Sequence, residues 1–251
     1  MNFFDLQTHS TASDGKHSPR EVVRMAKENG LSLISLTDHD SVDGVAEALA
    51  AGQELGVKVI PGIEISVEEH GAHILGYGID YQNPELLARL EDFKKGRIEG
   101  AREMIKNLNK AGFVVEWSDV LKEATGSVIA RPHIARAILH RAENKEKLGN
   151  ISTVHDFIQN FLTDDSPNYV KRAHISVRAA IDLIYRMKGV AIWSHPMIGF
   201  EHDHEKMENF LRELIGCGIK GLEAFTPAHS EDDAEFVQNL AITNRLLRTA
   251  G

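Results

Sequence analysis

Cysteine is almost missing: Cys217 is the one cysteine in 251 residues, so no disulfide can form within the chain, and such usage suits a reducing compartment. Long apolar runs are missing too. None approaches the ~20 residues that a membrane-spanning helix needs, and the chain reaches Asp5 after only the pair Phe3-Phe4, with no apolar stretch of the kind a signal peptide carries. The expected location is cytoplasmic. Positive charge is in deficit, 28 Lys and Arg against 37 Asp and Glu, for a formal net charge of -9. That argues against broad binding to nucleic acid or to an anionic membrane. A small phosphorylated substrate stays possible, because bound cations would dominate the local field. Internal repeats and low-complexity segments are absent as well.

What is present is a chain of globular composition, 42% hydrophobic and 26% charged, long enough to bury a substantial core. Phe3 to Leu6 reads as a buried strand, and Ser18-Pro19-Arg20-Glu21 as a capped helix start, with Gly30 as the stop. Strands follow at Leu31–Leu36 and Val57–Ile60, the latter continuing through Gly62–Val67, with a helix over Val45–Leu55 between them. Ala72–Tyr77 reads as a further strand. This alternation with short loops implies parallel strands joined by right-handed crossovers. The pattern then changes: Pro84 to about Ala111, Trp117–Ala124, Arg131–His140 and Val154–Leu162 all read as helices. Alternation resumes with a helix over Val177–Met187, a strand over Val190–Trp193, a helix from about Lys206 to Ile215, a strand over Ile219–Glu223, a helix from Glu231 and a last strand from Leu246. The expected organisation is an α/β barrel from residues 1–80 and 169–251, interrupted by a helical insertion over 81–168.

Histidine and carboxylate recur where these strands end. On a strand, Gln7 and His9 point the same way. Asp14 follows in a turn, His39 stands in Thr37-Asp38-His39-Asp40, and Glu64, His73 and His195 complete the set. Imidazole and carboxylate suit zinc, manganese and iron, and strand ends are where α/β folds place their sites. Singly, each is an ordinary hydrogen-bonded histidine or solvated carboxylate; together they point to a metal site. His202-Asp203-His204 has similar spacing but sits among Glu201 and Glu205, and it reads as a solvated loop.

Asp5-Leu6-Gln7-Thr8-His9-Ser10 with Ser13-Asp14-Gly15, Thr37-Asp38-His39-Asp40, Gly62-Ile63-Glu64-Ile65-Ser66 and Ser194-His195-Pro196 resemble the motifs of the polymerase and histidinol phosphatase (PHP) superfamily. The insertion resembles the branch containing 3′,5′-nucleoside bisphosphate phosphatases and an RNA 5′-end exonuclease. The resemblance implies a distorted barrel of about seven β/α units, two to three divalent ions (Mn, Zn or Fe) and phosphoester hydrolysis by ion-bound hydroxide, with no further catalytic side chain. The implied partner is a small phosphorylated substrate or an RNA or DNA 5′ end. By position, His9 and Glu64 would hold a first ion, Glu64 with His73 and His195 a second, and Asp14 with His39 a third. Arg131, in Arg131-Pro132-His133, and Lys171, in Tyr169-Val170-Lys171, match positions that grip substrate phosphate.

Two departures qualify the resemblance. Gln7 stands where the family usually has histidine, and an amide oxygen is a weaker ligand for a transition ion. The family also ends its barrel on a Ser-Asp-Phe-His-like strand whose Asp and His are ligands, whereas the sequence stops at Ala250-Gly251. The expectation is either a truncated fragment or a protein lacking two ligands. Alternatives are a histidinol-phosphate-type small-molecule phosphatase, which the helical insertion counts against, and a non-catalytic metal- or nucleotide-binding module. Because affinity follows ligand number and type, the 251-residue chain is expected to hold fewer than three ions tightly. Elemental analysis of dialysed protein checks this: three retained ions per chain would refute the ligand count.

Overall fold

The computed structural model describes residues 3–124, 129–163, 165–170, 175–200 and 203–251. Seven strands form one sheet in the order β1 (Phe3–Thr8), β2 (Leu31–Leu36), β3 (Lys58–Ser66), β4 (His73–Tyr77), β5 (Val190–Trp193), β6 (Gly221–Phe225) and β7 (Leu247–Ala250). Helices α1 (Pro19–Glu28) and α2 (Val45–Leu55) connect the first three strands. Between β4 and β5 come α3 (Pro84–Lys110), α4 (Trp117–Glu123), α5 (Arg131–Leu139), α6 (Lys145–Leu148), α7 (Val154–Phe161) and α8 (Val177–Arg186). Helices α9 (His204–Cys217) and α10 (Glu231–Thr243) lead into β6 and β7. The sheet curls until Gly251 lies against Gln7 Cβ, so the first and last strands meet as flanks of a distorted barrel. No described helix is long and apolar enough to cross a membrane.

The caps that the sequence announces are made. Ser18 Oγ accepts from the Glu21 amide, the Glu21 carboxylate accepts in return from Ser18 N at 2.8 Å, and Asn83 and Thr153 cap α3 and α7. Gly56 closes α2 at φ 73°, a left-handed cap that a side chain would resist.

The strand directions differ from the all-parallel expectation. β4 runs antiparallel to both β3 and β5, while the other neighbouring strands pair in parallel. Only residues 67–72 separate β3 from β4, and a link that short cannot carry a crossover. The reversal has a consequence for the site. His73 opens β4 rather than ending it, yet it pairs with Ser66 at the close of β3, so the start of this one reversed strand lies at the edge where its neighbours finish.

Strand alternation divides the two faces. Ile63, Ile65, Ile74, Leu222 and Ala224 face outward into a core completed by α8, α9 and α10. Leu75, Tyr77 and Ile192 face inward with Leu6 and Ile60 and fill the barrel. Among the described residues of 81–168 there is no strand, and α3, α4, α5 and α7 pack around their own cluster, which includes Leu108, Phe113, Ile134 and Phe157. The pair 203–204 is not the loop expected: Asp203 caps α9 by accepting from the Lys206 amide, and His204 stacks on Phe236. His202 lies outside the described residues.

α3 joins the two packing units. Its Leu86 and Leu90 belong to the barrel core, and its Ala101, Met104 and Leu108 to the helical one. Arg97 sits between them, 6% exposed. Its guanidinium bonds the Asp40 carboxylate through Nε at 3.0 Å and through Nη2, and Nη2 reaches Ser66 Oγ at 3.2 Å. Asp40, held at φ 47°, takes the Ser66 amide on its other oxygen. Removing one partner of such a pair leaves a buried unpaired charge, which costs ~3–5 kcal/mol. Arg97→Leu should destabilise the chain by about that much in urea unfolding, and adding Asp40→Asn should recover more than half of the loss. Equal stability of Arg97→Leu and the original chain would refute the pairing.

Candidate metal centre

Glu64 stands at the middle of the site because β3 alternates. With Ile63 and Ile65 turned outward, the carboxylate of Glu64 points into the barrel mouth, where it is fully buried. Four histidines from four other places in the chain surround it. His9 follows β1, His39 follows β2 and bridges to Glu64 along the sheet, His73 opens β4, and His195 follows β5. Oε1 of Glu64 lies 3.0 Å from His73 Nδ1 and 3.1 Å from His195 Nε2, and these two nitrogens are 3.1 Å apart. Oε2 lies 3.2 Å from His9 Nε2 and 3.3 Å from His39 Nδ1.

The supports are polar and buried. Asp38 accepts from the Ser10 amide, Ser10 Oγ and Ser13 Oγ at 2.6–2.7 Å, which fixes the loop carrying His9 and Asp14. Gly15 lets that loop turn, because a Cβ there would stand 2.5 Å from the His9 carbonyl oxygen. Ser194 Oγ lies 2.9 Å from Glu64 Oε1, and the Glu223 carboxylate accepts the His195 amide at 2.8 Å.

Electrostatics makes this cluster unusual. Burial opposes ionisation of Glu64, yet His39, His73 and His195 outweigh it and hold the carboxyl well below its ordinary value. Burial pulls His9 down, but the bond and charge of Glu64, with Asp14 and Asp38, lift it to about 9. His39 is pushed down by burial and by the neighbouring His9 and His73. The four rings therefore cannot all carry protons, although their nitrogens converge on one anion. His9 Nδ1, His39 Nδ1 and Glu64 Oε2 are buried without hydrogen-bond partners.

A cation answers that deficit. Two ligands ~2.1 Å from one ion, at octahedral or tetrahedral angles, stand ~3.0–3.4 Å apart, the range of the carboxylate–imidazole spacings given above. Two triads share Glu64: His9, His39 and Glu64, and Glu64, His73 and His195, each with donor atoms within 4.8 Å of one another. The chemistry and spacing of these donors fit divalent ions.

The remaining expected residues are distributed less evenly. Gln7 is in the cluster, but its Nε2 donates to Glu64 Oε1 at 3.0 Å and to Ser194 Oγ at 2.9 Å, so the amide nitrogen rather than the oxygen faces the carboxylate. Asp14 lies 3.9 Å from His9 Nδ1 and outside both triads, while His39 joins His9 and Glu64. Arg131 opens α5; its Nη1 donates to the Leu162 carbonyl at 3.1 Å and its guanidinium lies over the Tyr169 ring. Lys171 lies outside the described residues.

Three residues escaped the sequence reading. Arg97 and His133 help to hold the Asp14 carboxyl below its ordinary value against the effect of burial, after His39 and His9. His133 itself, buried and accepting the Ala130 amide on Nδ1, is pushed down to about 4, first by burial and then by Arg136. Glu223 is the third. Its one visible signal is a carboxylate inside an apolar strand, whereas the position of Arg97 in a long charged helix gives none.

Comparison with known proteins agrees with this geometry. Residues 5–151 match the PHP domain. Over 241 residues the chain is 32% identical to a 3′,5′-nucleoside bisphosphate phosphatase of Chromobacterium violaceum, covering 93% of this chain and 80% of that protein. It is 34% identical over 244 residues to a 5′-3′ exoribonuclease of Haemophilus influenzae, covering 95% and 84%. The solved structure of an amidohydrolase from Chromobacterium violaceum, with sulfate bound and no metal, superposes with a TM-score of 0.89 at 31% identity, over 99% of this chain and 86% of that one. On the domain match, these relatives and the shared fold, the chain belongs to the PHP domain family of metal-dependent phosphoesterases.

Proposed function

We propose that the chain hydrolyses a phosphate ester of a small nucleotide, of the 3′,5′-bisphosphate type, or of a nucleic-acid 5′ end. The observation that carries this reading is the buried Glu64 carboxylate with four imidazoles around it and its Oε2 facing two of them without a hydrogen bond. His9, His39 and Glu64 would hold one divalent ion, with Asp14 beside it, and Glu64, His73 and His195 another, on the side of the carboxylate that Gln7 bonds. Mn, Zn and Fe all suit this donor set. When bound, such ions stabilise charge that develops on a phosphoryl group.

The protein's own groups do the positioning. Glu64 splits its two oxygens between the triads and so fixes their separation. Gln7 N–H and Ser194 O–H occupy the sides of Oε1 and keep the carboxylate from rotating. Arg131 supplies a guanidinium fork for a second substrate phosphate, and the Tyr169 ring beneath it limits its freedom. In this role residues 81–168 act as an inserted helical unit that carries part of the phosphate grip. The names of the relatives support a phosphorylated nucleotide as substrate, and the sulfate of the superposed structure is a tetrahedral oxyanion of phosphate size.

Release of phosphate from a nucleoside 3′,5′-bisphosphate tests the proposal, with an aryl phosphate as the simple comparison. Arg131→Ala should raise KM for the bisphosphate ~10-fold or more, as loss of a charged hydrogen bond of ~1.5–3 kcal/mol implies, and should affect the aryl phosphate less. Equal losses on both substrates would count against a second-phosphate site.

A pH dependence follows from His9. In the metal-free chain its pKa is raised from 6.5 to about 9, so at pH 7 an incoming ion must displace its proton. Ion affinity should climb by about tenfold per pH unit below 9 for each proton displaced. The same raised pKa stabilises the metal-free fold; that contribution is complete below pH 6.5 and is lost as pH rises through about 9. Calorimetric melting should therefore show metal-free protein losing stability across this window and metal-loaded protein resisting the loss. A metal-free melting temperature that rises across it would contradict the assignment.

A further inference from the structure

Glu223 presents an unexplained expense. It lies on β6 between Leu222 and Ala224, which face the outer core, so its side chain turns into the barrel, where it is 0% exposed. A carboxylate in such a place must be compensated or the fold suffers. No cation pairs with it among the described residues, and its Oε1 is buried without a hydrogen-bond partner, as are Tyr77 Oη and Thr249 Oγ1. Its compensation comes from the other oxygen: Oε2 accepts the His195 backbone amide at 2.8 Å and lies 3.4 Å from Ser194 Oγ.

Those two contacts fall on the turn that delivers His195. β5 ends at Trp193, whose partner on β6 is Leu222. Ser194 still bonds across the sheet, its amide donating to the His73 carbonyl. His195 then leaves the strand at φ 30°, in the left-handed region that a non-glycine residue enters only when its surroundings hold it there. Its amide has lost its place in the sheet and takes a side-chain acceptor instead. Ser194 in turn gives its O–H to Glu64 Oε1 at 2.9 Å and accepts the Gln7 amide, so the residue next to the one whose amide Glu223 holds is the one that steadies Glu64.

We infer that Glu223 is a positioning residue for the metal centre, which aims His195 at the shared carboxylate by holding the His195 amide from behind. The inference rests on the metal reading of the Glu64 cluster. Its mechanism is geometric: an acceptor oxygen at the His195 amide fixes the turn, and the turn fixes the ring. Partners of this kind behind a ligand are worth ~10–100-fold in metal affinity.

Three variants of the full chain separate the acceptor from the charge and from packing. Glu223→Gln keeps an oxygen for the His195 amide without the charge. Glu223→Asp keeps the charge and withdraws it by one methylene. Glu223→Leu keeps the approximate volume and removes the acceptor. Two measurements apply to each: manganese or zinc affinity by competition with a chelator, and hydrogen exchange of the His195 amide in metal-free protein. Glu223→Gln should stay within about threefold of the original chain in both. Glu223→Asp should lose ~10-fold in affinity and Glu223→Leu up to ~100-fold, each with faster exchange at His195. Should Glu223→Leu fail to fold, the comparison of Glu223→Asp with Glu223→Gln decides. Unchanged affinity in Glu223→Asp and Glu223→Leu overturns the inference, as does a Glu223→Gln loss as large as theirs. If the original chain binds neither ion, the metal reading fails by itself. A His195 amide that then exchanges equally fast with and without the acceptor overturns this inference too.

Discussion

One buried carboxylate sets the terms for this molecule. Glu64 carries no exposed surface, yet both of its oxygens are surrounded by imidazole nitrogens at hydrogen-bonding distance. An ionised group in such a place is tolerated only when charge or hydrogen bonds repay its lost hydration. Much of the surrounding structure can be understood as that repayment. Asp38 locks the loop that brings His9, the β2–β3 bridge brings His39, and the reversed β4 brings His73. The arrangement is still short of positive charge, because the imidazoles cannot all be protonated within one small volume. The shortage is what makes the cluster a candidate cation site instead of a self-contained hydrogen-bond network.

Much of this could be read from the sequence, for a definite reason. Helix caps such as Ser18 with Glu21 are local, and so are strand alternation and the glycine stops, so element boundaries fell within a few residues of those observed. The site histidines could be gathered because each adjoins a strand end. Alternation of elements predicts a parallel strand only where a helix makes the connection, and between β3 and β4 there is none, so the direction of β4 is not legible from that pattern. The register of His73 with Ser66, once seen, shows that a strand's start can serve as well as its end.

What could not be read was the set of partners lying behind the ligands. Arg97 is one of many charged residues on a 27-residue helix, and only the packing of α3 against two separate cores makes its face a buried one. Glu223 adjoins no histidine in sequence and meets His195 only after β5 and β6 pair. Gln7 was visible, but the direction of its amide depends on Ser194 and Glu64, which stand 187 and 57 residues away. Polar groups that work through others have no periodicity or motif of their own.

The reversed strand also bears on the order in which the molecule assembles. Glu64 and His73 are nine residues apart, on a hairpin whose link is residues 67–72, and contacts of that range form in ~1–10 μs. His195 is 131 residues from Glu64, and the whole run of helices from α3 to α8 lies between them, so that contact carries a far larger loop-closure cost. Two of the three members of this triad are thus a local folding product, and the third waits for the barrel to close around them. During synthesis the nascent chain would present Glu64 and His73 together well before His195 had been made, which leaves the early hairpin with an acidic and an imidazole ligand but an incomplete hold on any ion.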